Sequence, residues 1–377
     1  ARATLPVRGL QDVAREAGNI YRSYAEAEPT SIAAPQIIGQ PPAPATQISA
    51  RALFLAGLRD TVVYGVSNLR RDAGGLIADL QPGDLSRWAV HWAADPVVTD
   101  WHGSRAAIEV PRRAPVHIDT AIDLVGPFSL AWGHSIMDFA PRLLMALSDP
   151  DCPADAPLLI DKAAMQPHRD LMAYLSGGRQ VIDLFPPRPV QVGRLWTAST
   201  PEFTPVWPSP GQRFTTARCT LSPAPLARVL AMAPQISVDH DLPKKIFLDR
   251  SPGFVRQIAN HDAVAARLAR AGYTRILPEK LDVQTQLKLA AGATHIAGPY
   301  GSNLLLPMML GNPSAQVVIL HPDDLEEKPL IMATAQARGQ DVRVVCGPSA
   351  APDPRMPGNS NFTVPLDHLD VALRDNA

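Results

Sequence analysis

Apolar positions in this chain fall mostly into short runs separated by turn residues. Leu53–Ala56, Thr61–Val66 and Gly75–Ile77 read as strands. Val116–Leu124 alternates polar and apolar side chains, as a strand with one buried face does. It leads through Val125-Gly126-Pro127 to a stretch with helical spacing. Pro157–Ile160 predicts a buried strand, His168–Tyr174 a helix and Gln180–Leu184 another strand. After Pro243 the alternation becomes regular. Strands at Ile246–Leu248, Thr274–Leu277, Thr294–Ala297 and Val317–Leu320 are separated by helices at Asn260–Ala271, Val283–Ala291 and Asn303–Leu310. Gly272 suits the C-terminal cap of the first of these helices. Alternation on this scale means βαβ units around a parallel sheet. Leu366–Leu373 reads as a short closing helix.

The ends of the pattern differ. Leu10, Val13, Ala14, Ala17, Ile20, Tyr21 and Tyr24 keep helical spacing, with Asp12, Arg15, Glu16 and Arg22 opposite them. They predict an amphipathic N-terminal helix packed on the body. A weak docking face for a membrane surface or a partner is its alternative use. Residues 28–47 are Pro-rich and read as an extended strap, and residues 199–225 read as loop. A chain of 377 residues exceeds one ordinary core. The expected organisation is a helix and strap over 1–47, one α/β domain over 48–238 and a second over 239–377.

Composition narrows the function classes. With 46% hydrophobic and 19% charged residues the chain is a folded protein. A net charge of −1 offers no footprint for nucleic acid, so any phosphate binding has to be local. Cys152, Cys219 and Cys346 lie far apart without a CxxC spacing, which fits reduced thiols better than disulfides or a zinc site. No apolar run reaches the roughly 18 residues of a membrane span, and Ala1–Pro6 holds no signal-peptide core.

Two segments carry candidate chemistry. In Gly133-His134-Ser135-Ile136-Met137-Asp138-Phe139-Ala140-Pro141-Arg142, residues His134, Asp138 and Arg142 share one helical face. A carboxylate one turn from an imidazole orients the ring for general-base work, and the arginine holds the carboxylate or an anion. The same stripe equally suits a buried helix start whose histidine is satisfied by its aspartate. In Gly298-Pro299-Tyr300-Gly301-Ser302-Asn303 a strand turns into a helix, with Ser302 or Asn303 as the expected cap. A helix N-terminus at the carboxyl end of a parallel strand suits phosphate. Arg250, Arg256 and Asn260 follow an earlier strand and would face the same crevice, unless the arginines pair with Asp249 and Asp262 at the surface. Asp239-His240-Asp241 spells an Asp-x-Asp metal motif but sits in a connection between prolines, so no metal is expected. Asp323-Asp324 with Glu326-Glu327 reads as a solvated acidic loop. No Gly-x-Ser-x-Gly elbow is present, which disfavours a serine hydrolase.

Taken in order, His134, Asp138, Pro141-Arg142, then Arg250, Arg256 and Asn260, then Leu277-Pro278-Glu279 with Leu281 and Gln286, then Gly298 to Leu304, resemble the glycosyltransferase family 61 pattern. The resemblance runs over roughly residues 120 to 322. It implies a GT-B-like α/β fold, two Rossmann-like domains facing across a cleft, and an inverting, metal-independent reaction without a cofactor. The donor is then a nucleotide-sugar held by Arg250, Arg256, Asn260, Gln286, Gly298, Tyr300, Gly301, Ser302 and Asn303. The acceptor is a glycan or lipid-linked glycan, and the catalytic residues expected are His134 or Asp138 as base with the other orienting it, and Arg142 holding that helix or the acceptor. A cytoplasmic location at the inner face of the membrane and a role in bacterial capsule or exopolysaccharide synthesis follow from the same resemblance. Two places depart from the family pattern. Thr285 stands where it has Glu, and Tyr300 and Ser302 stand where it has His and Ala. They leave open a non-catalytic subunit of the same fold that binds a nucleotide or glycan.

Overall fold

The computed structural model describes residues 2–84, 92–110, 115–186, 188–203, 219–324, 328–350 and 359–374. The chain forms two compact units. The first is made of Ala1–Glu28, Ala50–Gln212 and Ala231–Ala233, the second of Pro29–Ser49, Arg213–Leu230 and Pro234–Ala377.

The second unit follows the regular pattern closely. Its six strands lie in the order Thr274–Ile276, Lys245–Leu248, His295–Pro299, Gln316–Pro322, Asp341–Gly347 and Gln36–Ile37. Every neighbouring pair is parallel. Counted from Lys245–Leu248, the first five take the spatial order 2-1-3-4-5, a doubly wound sheet. Its winding reverses between Lys245–Leu248 and His295–Pro299, and ligands of such sheets bind at the carboxyl ends beside that reversal. Phe247, Ala297, Val318, Leu320 and Val345 of the sheet pack with Val264, Leu268 and Leu369 of the covering helices His261–Arg270 and Leu366–Ala372. Gly272 takes φ 84° just past Arg270, as a helix stop requires.

The first unit is built on an eleven-stranded mixed sheet. Val181–Leu184, Leu158–Asp161, Val116–Leu124 and Val190–Ala198 form a parallel block. Beyond it Leu53–Val63 runs antiparallel to Val190–Ala198, and the hairpin Leu69–Asp72/Gly75–Ala78 continues the sheet. The expected Rossmann-like half is therefore met only by the parallel block. Leu53–Val63, Leu69–Asp72 and Gly75–Ala78 are joined by connections too short for the crossover a parallel pair needs.

The long N-terminal helix is a further correction. Only Leu10–Ala14 is helical, Gly18 breaks the chain with φ 86°, and Ile20–Ala25 is a strand antiparallel to Leu53–Val63. β-Branched and aromatic side chains at Ile20, Tyr21 and Tyr24 favour the strand, and their spacing satisfies either period. Leu10, Val13 and Ala14 are buried in the unit's core, so the expected docking face is absent. The Pro-rich strap pairs Pro29–Ile32 with Thr46–Ser49, and Gln36–Ile37 joins the second unit's sheet. Of the expected loop at 199–225, residues 204–218 lie outside the described residues, and a helix starts at Pro223. Glu326 and Glu327 also lie outside them. Asp323 accepts bonds from the Ser349 N–H and hydroxyl. Among the described residues no helix is long and apolar enough to cross a membrane.

Candidate functional site

The strand Val116–Leu124 delivers Asp123, side chain fully buried, to the carboxyl end of the parallel block. Arg70 meets it with two hydrogen bonds, Nε to Oδ2 at 2.7 Å and Nη2 to Oδ1 at 2.8 Å. The Thr197 hydroxyl donates to Asp123 Oδ2 at 3.0 Å. Burial alone would raise the Asp123 carboxyl; Arg70 and Arg142 beside it hold it below the usual carboxylate range. After Asp123 the chain turns at Gly126, whose N–H donates to Asp161 Oδ2 at 2.8 Å. Asp161 also accepts the Val66 N–H and the Ser129 hydroxyl, which fixes the entry to the next helix.

That helix contains the candidate base. Trp132–His134 and Ala140–Ser148 are α-helical, and one π-helical turn, Ser135–Phe139, lies between them. Pro141 lacks the N–H that would bond the Met137 carbonyl, and its ring needs room there; a widened turn supplies it. His134 Nδ1 lies 2.6 Å from Asp138 Oδ2, and its ring stacks on Phe128 at 3.8 Å between centroids. With Nδ1 held by the carboxylate, Nε2 is the nitrogen left to exchange a proton. His134 keeps 21% of its side chain exposed, Asp138 only 6%. Arg142 does not hold Asp138 as the stripe suggested. It donates to the Asp123 carbonyl at 3.3 Å and the Thr197 hydroxyl at 3.4 Å, and its guanidinium lies over Phe139. Burial, with Arg70 as a like-charged neighbour, lowers its pKa.

A cavity of about 100 Å³ opens beside this network. Asp138, Arg142, Asp123, Arg70 and Phe128 share its wall with Asp79, Thr197, Thr200, Glu202, Trp92 and Phe203. Asp138 Oδ1 and Arg142 Nε are buried and accept or donate no hydrogen bond among the described residues.

In the second unit the winding reversal gathers a cationic cluster. Arg250, just past Lys245–Leu248, donates from Nη2 to the Tyr300 carbonyl at 2.9 Å and to Asn303 Oδ1 at 3.3 Å. Its Nη1 holds the Val255 carbonyl at 2.6 Å. Arg256, at φ 62°, reaches the same Tyr300 carbonyl at 3.4 Å and lies over the Tyr300 ring. Asp249, the expected surface partner of these arginines, instead takes His261 and Arg275. Among the described residues no carboxylate is within ion-pairing distance of Arg250. Burial, then the Arg256 charge, pushes Arg250 down to about 10.

Gly301 takes φ 154° and ψ −172°, and a Cβ there would stand 1.8 Å from Arg250 Nη2. A Cβ at Gly298 would meet the Leu248 carbonyl at 2.6 Å. The helix Ser302–Leu310 starts at Gly301 with no side-chain cap, so neither Ser302 nor Asn303 plays the expected capping role. Asn303 is drawn away by Arg250 and by the Leu248 carbonyl, to which its Nδ2 donates at 3.1 Å. The Leu304 N–H bonds the Gly301 carbonyl at 2.9 Å, so the N–H groups of Ser302 and Asn303 are the ones without a side-chain cap, beside two guanidinium groups.

Asn260 and Gln286 are not part of this cluster. The Asn260 amide is consumed by the Val364 backbone, N–H and carbonyl, at 2.9 Å each. Gln286 donates to the Pro278 and Leu281 carbonyls and so braces the turn that carries Glu279. Asp123, Arg70 and Asp161 were missed by sequence reasoning. The one available signal was an aspartate closing an otherwise apolar strand end at Ile122-Asp123-Leu124.

Residues 132–318 match the family model described as Glycosyltransferase 61. The chain belongs to glycosyltransferase family 61. No curated protein matches it. The matched region of this family 61 member begins at the helix of His134 and ends in the strand Gln316–Pro322, so it contains His134, Asp138, Arg142 and the Arg250–Arg256 cluster but not Arg70 or Asp123. Thr285 is the third residue of a helix, its N–H taken by Asp282 Oδ1 at 2.7 Å, which makes position 285 a capping position. Tyr300 is buried and serves the arginines through its backbone carbonyl and through its ring, over which Arg256 lies. Among the described residues no group of three or more His, Cys, Asp or Glu side chains could hold a metal ion.

Proposed function

We propose that this family 61 glycosyltransferase moves a sugar from a nucleotide-sugar to a hydroxyl of a glycan or lipid-linked glycan, with inversion and without a metal. The GT-B organisation, a cytoplasmic setting at the inner membrane face and a role in bacterial surface polysaccharide synthesis belong to this proposal. The observation that carries it is the Arg250–Arg256 cluster at an uncapped helix start beside the sheet's winding reversal. Like charges stand there against the positive end of a helix dipole, an arrangement that an anion such as a diphosphate relieves.

In the reaction His134 Nε2 takes the proton of the acceptor hydroxyl while Asp138 holds Nδ1 and steadies the imidazolium. The acceptor oxygen forms its bond to the anomeric carbon as the bond to the departing phosphate oxygen breaks. The electron pair leaves on the nucleoside diphosphate, whose charge Arg250, Arg256 and the Ser302 and Asn303 N–H groups stabilise. Arg142 does not touch the dyad's hydrogen bond; it braces Asp123 and Thr197 behind it.

The test is release of nucleoside diphosphate from a panel of UDP-, GDP-, dTDP- and ADP-sugars, and of CMP from CMP-sugars, in the presence of chelator, with thermal stabilisation by the free nucleotides. A nucleotide at 100 times its dissociation constant adds about 2.7 kcal/mol. His134→Ala and Asp138→Asn should each lower kcat by about 10²–10⁴ with donor KM unchanged. Full turnover in both variants removes the base assignment. Nucleotide binding without turnover in the wild type favours the non-catalytic subunit.

A further inference from the structure

We infer that Phe254 is the stacking platform for the planar base of the nucleotide whose diphosphate Arg250 and Arg256 hold. This rests on the glycosyltransferase reading above and adds the residue that grips the nucleoside end of the donor. Three observations carry it.

The first is an uncovered aromatic face. Phe254 is 53% exposed and its neighbour Val255 46%. Among the described residues Phe185 is the other exposed phenyl ring, and the Lys162 ammonium lies over it at 5.8 Å. Phe254 has no such ring or cation partner among the described residues. A phenyl ring left in water forgoes the hydrophobic gain its size offers until a second apolar face covers it.

The second is the braced backbone beneath that face. The Ser251 N–H donates to Glu279 Oε1 at 2.8 Å, and the Gln257 N–H to Asn361 Oδ1 at 2.9 Å. Gln257 Nε2 donates to the Ser251 and Phe254 carbonyls at 3.0 and 3.1 Å. The Val255 carbonyl accepts from Arg250 Nη1 at 2.6 Å. These bonds fix the chain on both sides of Phe254 and leave its side chain uncovered. A planar ligand can then stack on the ring without first ordering the loop, and an aromatic anchor loses little rotamer freedom in doing so.

The third is place. Arg250 holds the Val255 carbonyl through Nη1 and the Tyr300 carbonyl through Nη2, so one guanidinium ties the loop of Phe254 to the helix start at Gly301. Arg256 reaches the same Tyr300 carbonyl at 3.4 Å. A ligand that answers both the cationic cluster and the uncovered ring is an anion joined to a flat group with apolar faces. A nucleoside diphosphate has that make-up. The sugar end of a donor has to stay open to the acceptor hydroxyl, whereas the nucleobase takes no part in the reaction and can be covered; binding energy from such a remote group serves to position the reacting one. Every base has a π-face, so the platform adds affinity without choosing among bases.

The experiment is calorimetry on the full chain with pyrophosphate and with whichever of UDP, GDP, ADP and dTDP binds most tightly. Phe254→Ala should weaken the nucleotide at least about fivefold and leave pyrophosphate within about twofold. Phe254→Leu, apolar but without a π-face, should behave like the alanine variant, and Phe254→Trp should keep wild-type affinity or exceed it. Unchanged melting temperatures will show that the variants are folded. If the alanine variant is not, Phe254→Trp carries the test: the emission it adds over wild type should be quenched by the nucleotide and not by pyrophosphate. Unchanged nucleotide affinity in a folded Phe254→Ala overturns the inference, and the anion site stands if pyrophosphate still binds. An equal loss of both ligands also overturns it, as does a loss seen with a nucleotide-sugar but not with the free nucleotide. A wild-type chain that binds neither pyrophosphate nor any of the four nucleotides overturns the donor reading and the platform with it.

Discussion

Gly301→Ala is the substitution whose consequences the geometry fixes most tightly. At φ 154° and ψ −172° the residue occupies a region that essentially only glycine enters. Adding a Cβ there costs about 1–3 kcal/mol in backbone strain alone. The new atom would stand 1.8 Å from Arg250 Nη2, 3.1 Å from its Cζ and 3.4 Å from Arg256 Nη1. A guanidinium is the mobile end of its side chain, so Arg250 moves and the backbone stays. Moving it forfeits the bonds to the Tyr300 carbonyl and Asn303 Oδ1, each worth about 1.5–3 kcal/mol as hydrogen bonds to a charge. Part of this returns when the guanidinium reaches water, so the net loss of stability should be about 2–4 kcal/mol. Loss of one charge stabiliser should lower kcat/KM for the donor by about 10²–10³. The decisive assay is a double-mutant cycle in urea. Arg250→Ala removes the atoms that the Cβ strikes, so the double variant should be more stable than the sum of the singles by at least about 1 kcal/mol. Strict additivity, or wild-type donor kinetics in Gly301→Ala, would refute the reasoning.

The other predictions concern buried charge. Asp123→Ala should cost about 3–5 kcal/mol, because Arg70 and Arg142 are left uncompensated; a urea midpoint within about 1 kcal/mol of wild type would contradict this. His168 is buried against Ser135 and Phe139, and burial, then Arg169, pushes its pKa from 6.5 to about 4. The unfolded chain binds the extra proton between those values, so stability is full above about pH 6.5 and falls as pH drops to about 4, by about 3 kcal/mol. His168→Gln should flatten that acid limb, and parallel curves for both proteins would disprove the assignment. Arg250→Ala should weaken calorimetric affinity for pyrophosphate at least about tenfold, and an unchanged affinity would show that Arg250 does not bind the anion.

The second unit was legible because its signal is redundant. Strand runs such as Ile246-Phe247-Leu248 are buried on both faces, and helices capped by Gly272 or Asp282 punctuate them, so period and turn chemistry agree. The first unit was less legible, because hairpins such as Leu69–Asp72/Gly75–Ala78 have too few residues to distinguish a turn from a crossover. Ile20–Ala25 shows the limit of periodicity: Ile20, Tyr21 and Tyr24 suit either period, and pairing with Leu53–Val63 decides. His134 and Asp138 were found because a helix puts i and i+4 together whether its turn is α or slightly wider. Arg142 was misdirected by the same rule, since its guanidinium follows Asp123 and Thr197, which sequence distance hides. Asn260 and Gln286 were read as ligands, yet an amide that satisfies buried backbone carries the same sequence signature.

The arginine cluster has a physical logic that structural roles alone do not explain. A fold stabilised only for its own sake would not set Arg250 and Arg256 beside each other at the positive end of a helix. Nor would it hold Arg256 at φ 62° and Gly301 where only glycine goes, within one cluster. Asp161 is the contrast: equally buried, it is matched by Val66, Gly126 and Ser129 and serves to hold a loop. Arg250 has no carboxylate within ion-pairing distance among the described residues, and an anion at the helix start would offset its charge. On the reading proposed above, the diphosphate end of a donor belongs to Arg250, Arg256 and the turn at Gly301, where two guanidinium groups meet a helix start.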